Sequence, residues 1–448
     1  MSSLKLSELM GALSHALDIT EGQPEGHCVR CCWIGMRIGQ NFGLPPDELW
    51  TLYYTLLLKD LGCSSNAARI CELYVTDDLS FKRDFKWVDG SLPQVLRFVL
   101  RNTGPGTGVM ARLMAMGGIL KGGDAIAQEL ILTRCTRGAD IARQLRFPEA
   151  VANGVHALDE HWDGSGRPLA LKGNAIAIQA RIALMAQVVD VHNTSSGPEA
   201  CVTEVRQRSG KWFDPALVLA FQEAAQDPTF WQTLNSPGVE AAVYALEPGD
   251  HEVEVDDDYL DDIAEAFGQV VDAKSPFTAG HSARVGLYTA LLTESMGLPE
   301  HRRRWLKRGA LLHDVGKLGV SNTILDKPGK LDDREWKAVQ RHASYTQAIL
   351  GRVSIFEELA RVSSAHHERL DGQGYPLGLT AKDITLETRI ITTADIFDAI
   401  TATRPYRGAV PVEKTLAIMT DTVGSAIDAD CLTHLKAIVN RYPELFPT

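Results

Sequence analysis

His313-Asp314-Val315-Gly316-Lys317 is the stretch on which the reading of this 448-residue chain turns. An imidazole beside a carboxylate, with an ammonium one turn on, says little alone. The same part of the chain also sets out His281, His342, the pair His366-His367 and Asp395. Each lies in a stretch with helical periodicity. Five imidazoles and two carboxylates form a donor set for two cations, and clusters of this kind mark metal or catalytic sites. Nitrogen and oxygen donors without thiolate suit Fe, Mn, Zn, Ni or Co and argue against a structural zinc cage.

A carboxylate has two oxygens, so Asp314 is the expected bridge. One ion then takes His281, His313, Asp314 and Asp395, and the other takes Asp314, His342, His366 and His367, each keeping room for water. Two cations sharing a hydroxide supply a nucleophile at neutral pH and clamp a phosphoryl oxygen, which is chemistry for cutting a phosphoester. Lys317 is i+4 from His313 and i+3 from Asp314, so on a helix it shares their face and reaches a phosphate or leaving group. Arg404 and Arg407 offer guanidiniums for phosphate. Gly374 and Tyr375 join Lys317 and these arginines as expected substrate contacts. Asp398, one turn past Asp395, is expected to act behind the metal ligands; with Asp314 and Lys317 it completes the catalytic candidates.

Working outward, Asp332 and Glu335 read as a capping box opening the helix of His342. Gly297 and Pro299 end one helix and begin the next. Val285, Tyr288, Leu291 and Leu292 form an apolar stripe on the His281 helix. Long alternating patterns are missing, and the fold class read from the chain is all-α.

The chain also repeats itself. His161-Trp162-Asp163-Gly164-Ser165-Gly166-Arg167-Pro168 matches Arg369-Leu370-Asp371-Gly372-Gln373-Gly374-Tyr375-Pro376. Lys59-Asp60 answers His313-Asp314, and His27 answers His281. In the first copy His366 and His367 become Leu158 and Asp159, Asp395 becomes Gln187, and His342 falls opposite Arg134. Only His27 and Asp60 survive as ligands there, beside two cations that repel a metal ion. An insertion within residues 75–125, including a glycine-rich stretch, offsets the copies. The reading is two tandem helical domains: 1–245 degenerate and regulatory, 246–257 an acidic linker, and 258–448 catalytic.

Composition sets bounds. With 45 Lys and Arg against 57 Asp and Glu, the net charge is −12, which argues against a nucleic acid polymer as partner. No apolar run spans a membrane and no export signal opens the chain. Cys28, Cys31 and Cys32 lack a second pair at zinc spacing and read as buried thiols of a cytoplasmic protein.

Residues from about 256 onward resemble the HD-GYP domain, the bacterial branch of the HD phosphohydrolases. The motifs are Thr278-Ala279-Gly280-His281, His313 to Lys317, His342, His366-His367-Glu368, Asp371 to Pro376, Asp395-Ile396-Phe397-Asp398 and Arg404 to Arg407. The resemblance implies a bacterial cytoplasmic phosphodiesterase that converts cyclic di-GMP to linear pGpG or on to GMP, with Fe or Mn as the two metals. The first domain resembles a degenerate HD-type relative and is open to a homodimer or signalling partner. Two departures stand out. Phe277 replaces a Glu that binds a third ion in some members, and Thr346 replaces a common Gly. The competing expectations are another cyclic dinucleotide as substrate, or a low-turnover nucleotide receptor or scaffold.

Overall fold

The computed structural model describes residues 5–249 and 253–446. Among the described residues the chain forms helices and no strand, apart from four isolated bridges. It divides into two compact units, Met1–Val255 and Asp256–Thr448.

In the second unit the helix His281–Ser295 starts after Gly280, whose φ of 69° favours glycine. Val285, Tyr288 and Leu292 lie on one stripe and pack against Leu306, Ile390, Phe397 and Leu435, with Leu291 half-buried beside them. Burying each large apolar side chain contributes roughly 1.5–3 kcal/mol, so this stripe fixes the helix's rotation. His281 sits one turn before Val285 on the same stripe and is thereby aimed inward. Gly297 (φ 74°) ends this element and Pro299 caps Glu300–Leu312. The capping box of Asp332 and Glu335 opens Asp333–Leu350, which carries His342.

The chain leaves Glu300–Leu312 through His313 and Asp314 into a short 3-10 turn, Val315–Gly319. This corrects the expectation of helical placement for every donor. His313, Asp314, His366 and His367 lie in turns just past helix ends, while His281, His342 and Asp395 lie in helices. A Cβ on Gly316 would stand 2.0 Å from the carbonyl oxygen of His342, so only glycine lets the turn lie against that helix. Thr346 staples the contact: its hydroxyl donates to His313 O and accepts from Gly316 N, both at 3.0 Å.

The first unit runs the same course. Gly26 (φ 82°) precedes His27–Phe42, and Pro46–Leu58 is followed by Lys59, Asp60 and the 3-10 turn Cys63–Asn66. A Cβ on Gly62 would lie 1.9 Å from Arg134 O, which places Arg134 opposite His342 and Gly138 opposite Thr346. The insertion holds the helices Asp78–Phe85 and Leu92–Asn102 and the start of Val109–Gln144. Phe81, Phe98, Val99 and Ile119 of the insertion pack with Ile70, Tyr74 and Leu130 in a small separate core. Gly117, Gly118, Gly122 and Gly123 lie inside the 36-residue helix and not in a loop. Each costs about 1 kcal/mol against alanine, a cost met by the burial of Ile119 and Leu130.

The acidic connector is shorter than its composition suggests. Glu247 accepts from Ser7 at 2.6 Å and Tyr54 at 2.5 Å, so it belongs to the first unit. Asp256 caps the helix Asp257–Asp272 of the second. Residues 250–252 lie outside the described residues.

Candidate metal centre

The seven donors stand together. Asp314, His342, His366 and His367 form one group and His281, His313 and Asp395 another, with the donor atoms of each group within 4.8 Å of one another. Asp314 faces both. Its Oδ2 is 3.3 Å from Nε2 of His281 and of His313, and its Oδ1 is 3.4 Å from His342 and 3.6 Å from His366. Asp395 Oδ1 lies 3.4 Å from His281 Nε2 and 3.8 Å from His313 Nε2.

The imidazoles are oriented from behind. Nδ1 of His313 lies 2.6 Å from Ala310 O, that of His342 lies 2.5 Å from Val339 O, and that of His366 lies 2.6 Å from Ser363 O. A carbonyl only accepts, so each Nδ1 carries a proton and donates backward, which turns Nε2 of each ring inward to the cluster. His281 is held the same way, its Nδ1 2.7 Å from Asp398.

These residues fit metal ions. Nε2 of His281 and His313 and Oδ1 of Asp314 are buried without a hydrogen-bond partner. The Nε2 atoms of His342 and His366 face each other at 3.5 Å. Two facing lone pairs repel unless a cation lies between them. Donors 3.3–3.6 Å apart are also spaced like ligands on an ion with bonds of roughly 2.1 Å.

The electrostatics differ between the two groups. Burial works against charge on His313, but the Asp314 and Asp395 carboxylates push it up to about 10. Burial draws His342 down to about 4 and His367 to about 3, which keeps both neutral at pH 7. Asp314 and Asp395, though buried, are held well below the carboxylate range by the imidazoles, and Asp314 also by Lys317.

The remaining sequence candidates divide. The Lys317 ammonium contacts Asp314 Oδ2, as an i,i+3 pair across the 3-10 turn and not along an α-helix. Tyr375 lies over His367, ring centroids 4.8 Å apart, and 6.2 Å from His342. Asp398 touches no open face of the cluster. It is fully buried and bonds to His281 and Arg284, a placement behind the donor His281 and away from the open side of the cluster. Gly374 serves packing: a Cβ there would meet Arg369 N at 2.3 Å. Arg404 donates to Phe277 O and Ala399 O, and Arg407 to Ile400 O and Ala399 O, so part of each fork braces backbone.

Other contributors carried no assigned role in the sequence reading. Glu368 accepts from Leu377 N at 2.6 Å and Leu379 N at 2.8 Å, which holds the Tyr375 loop. Glu160 does the same for Leu169 and Leu171 in the first unit. Arg284 grips Asp398 as Arg30 grips Asp190, and the shared spacing His27 to Arg30 and His281 to Arg284 was a usable signal.

The first unit's counterpart is filled by its own side chains. Lys59 Nζ contacts Asp60 Oδ2 and lies 3.1 Å from His27 Nε2 and 3.4 Å from Gln187. Lys86, from the insertion, lies 4.0 Å from Asp60 Oδ1, 3.1 Å from Glu21 and 3.1 Å from Gln187. Arg134 pairs with Asp159. Burial opposes charge on Lys59, but Asp60 and the nearby thiols raise it well above the ordinary lysine value. Cys31 with His27 and Asp190, and Cys63 with Glu21 and Asp60, form further donor groups beyond the two survivors the sequence suggested.

The HD domain pattern matches residues 123–217 and 265–431. The 3'3'-cGAMP-specific phosphodiesterase 3 of Vibrio cholerae is 55% identical over 99% of this chain and 96% of its own length. The cyclic di-GMP phosphodiesterase of Thermotoga maritima is 34% identical over 35% of this chain and 44% of its own. A crystal structure of the V. cholerae cyclic GMP-AMP-specific phosphodiesterase superimposes with a TM-score of 0.68 at 50% identity, covering 100% of both chains. With the paired donor groups, the repeat and these likenesses in hand, the chain belongs to the HD domain family, its second unit carrying the HD-GYP motif set.

Proposed function

We propose that this chain is a metal-dependent phosphodiesterase that opens a cyclic dinucleotide, with 3'3'-cGAMP as the preferred substrate. The observation that carries the chemistry is Asp314, whose two oxygens face two separate donor groups. Two divalent cations, Fe or Mn, held by His281, His313, Asp314, His342, His366, His367 and Asp395, would supply an activated water and screen the phosphate charge.

The chain's own residues do the rest. Asp398 and three backbone carbonyls fix the imidazoles, so no reorganisation is needed when substrate arrives. Lys317, held against Asp314, is the ammonium nearest the reacting phosphate and balances charge on the leaving oxygen. Tyr375 shapes the wall over His367. The N–H groups of Arg404 and Arg407 not used on backbone remain phosphate donors. Water adds across one P–O ester bond, leaving a linear dinucleotide with a terminal phosphate. A second cleavage would give mononucleotides.

The choice of 3'3'-cGAMP is supported by the whole-length likeness at 55% identity to an enzyme specific for it. Relatives named for cyclic di-GMP match only part of the chain, and that nucleotide is the second reading. We assign the first unit a regulatory role without bound metal, because its cation positions hold Lys59 and Lys86. The eight free cysteines suit a reducing cytoplasm, and among the described residues no helix is long and apolar enough to cross a membrane.

The test is direct. Protein loaded with Mn or Fe is incubated with 3'3'-cGAMP or cyclic di-GMP, and linear products are followed. We expect kcat/KM for 3'3'-cGAMP to exceed that for cyclic di-GMP by at least about tenfold, or about 1.4 kcal/mol of discrimination. Equal rates would remove the preference. Binding without product from either would make the chain a receptor.

A further inference from the structure

We propose that Trp336 is a nucleobase platform, its indole stacking against one base of the cyclic dinucleotide whose phosphate lies at the Asp314 cluster. The inference rests on the function proposed above and deepens it.

Trp336 stands in the first turn of Asp333–Leu350, six residues before His342. Its side chain is 46% exposed, so the indole is reachable from solvent. It meets Tyr375 edge to face, ring centroids 5.9 Å apart and planes at 82°, and Tyr375 in turn lies over His367. Two ring contacts therefore lead from the donor cluster to an open indole.

The helix start that carries the indole is also held in place. Asp332 accepts from Arg334 N and Glu335 N, Glu335 accepts from Asp332 N, and Lys327 donates to both Glu335 oxygens at 2.8 and 2.6 Å. A preorganised aromatic loses little entropy when a base stacks on it.

The first unit supplies the contrast. Gln128 stands six residues before Arg134, as Trp336 stands before His342, and Arg167 replaces Tyr375. Gln128 donates to Pro168 O at 2.6 Å, and Arg167 pairs with Asp124. The copy with Lys59 in place of His313 has thus also exchanged both rings for polar groups bonded to the protein itself. The aromatic pair accompanies the donor set. Every base has a π-face, so the contact serves a purine of either kind and adds affinity more than choice between them.

The test uses the full-length metal-loaded protein with Trp336→Ala and Trp336→Phe, assayed on 3'3'-cGAMP and on methyl 4-nitrophenyl phosphate, a phosphodiester without a base. Trp336→Ala should raise KM for the dinucleotide at least about tenfold, with kcat within about threefold, the loss that one stacked base represents. Trp336→Phe should restore KM to within about threefold. The base-free ester should change by less than about twofold in both variants. An unchanged KM in Trp336→Ala, or an equal loss on both substrates, overturns the platform while leaving the phosphodiesterase reading intact. Absence of dinucleotide turnover by the unaltered protein overturns that reading, and this inference with it.

Discussion

Asp60 and Asp314 occupy matching places in the two units and face opposite companions. Asp60 offers one oxygen to Lys59 and the other to Lys86. Asp314 offers one to His281 and His313 and the other to His342 and His366. Both carboxylates are buried, and both are bracketed by two centres of positive charge or by donor groups shaped to hold them. The first unit answers the need with ammonium groups tethered to its own backbone, the second with imidazole lone pairs that call for ions from solution. One architecture thus tolerates two solutions to the same electrostatic problem, and the second gathers seven metal-type donors where the first places Lys59 and Lys86.

The sharpest way to break this comparison is to remove each carboxylate. Asp314→Ala should lower turnover by at least about a thousandfold and strip most of the metal, as elemental analysis would read, because the shared donor is gone. The matching Asp60→Ala should leave metal content near normal and cost roughly 3–5 kcal/mol of stability in denaturant titration, because two buried ammonium groups lose their partner. If Asp60→Ala removed metal instead, the first unit would be no metal-free copy.

Next in size, Lys59→Ala should destabilise by about 3 kcal/mol while bound metal and turnover stay within about twofold. Loss of metal in that variant would overturn the assignment of Lys59 as the first unit's internal cation.

A smaller effect tests the staple. Thr346→Gly gives the second unit the residue found at Gly138 in the first. Loss of its two hydrogen bonds should cost about 1–2 kcal/mol, read as a lower unfolding midpoint with turnover retained. An unchanged midpoint would mean the close approach at Gly316 suffices alone.

The smallest concerns pH. Burial, reinforced by Arg208 and Arg167 and opposed by Asp163, draws His161 from 6.5 down to about 4. The fold therefore prefers the neutral ring, which stacks on Trp212 at 4.1 Å. This contribution is complete above about pH 6.5 and is lost as pH falls toward about 4. Its counterpart Arg369 does not titrate there. His161→Gln should flatten the pH dependence of unfolding across that window, and an unaltered slope would place the acid sensitivity elsewhere.

Much of the site was legible in the chain because metal donors are rare residue types and their order is distinctive. His281, His313, Asp314, His342, His366, His367 and Asp395 needed no knowledge of packing to be singled out. The all-α class followed from periodicity, and the helix of His342 from the Asp332–Glu335 capping box. What the sequence concealed depends on close contact. That His313 and Asp314 sit in a turn and not a helix follows from Gly316 lying on the His342 carbonyl, a meeting 26 residues apart. That Asp398 stands behind His281 is a contact across 117 residues. Lys86 gave no signal, since it lies in an insertion with no counterpart to align against. The glycines of Val109–Gln144 gave no sign of the helix they occupy, because there local preference yields to the burial of Ile119 and Leu130.

The tethering of Lys86 through an inserted segment has one more consequence. A covalently attached counter-charge cannot be diluted, chelated or outcompeted, so the charge balance around Asp60 in the amino-terminal half needs no ion from solution. The carboxy-terminal half has no such insurance. If that half loads metal as proposed, its turnover would follow the supply of the ion while the charge balance at Asp60 would not.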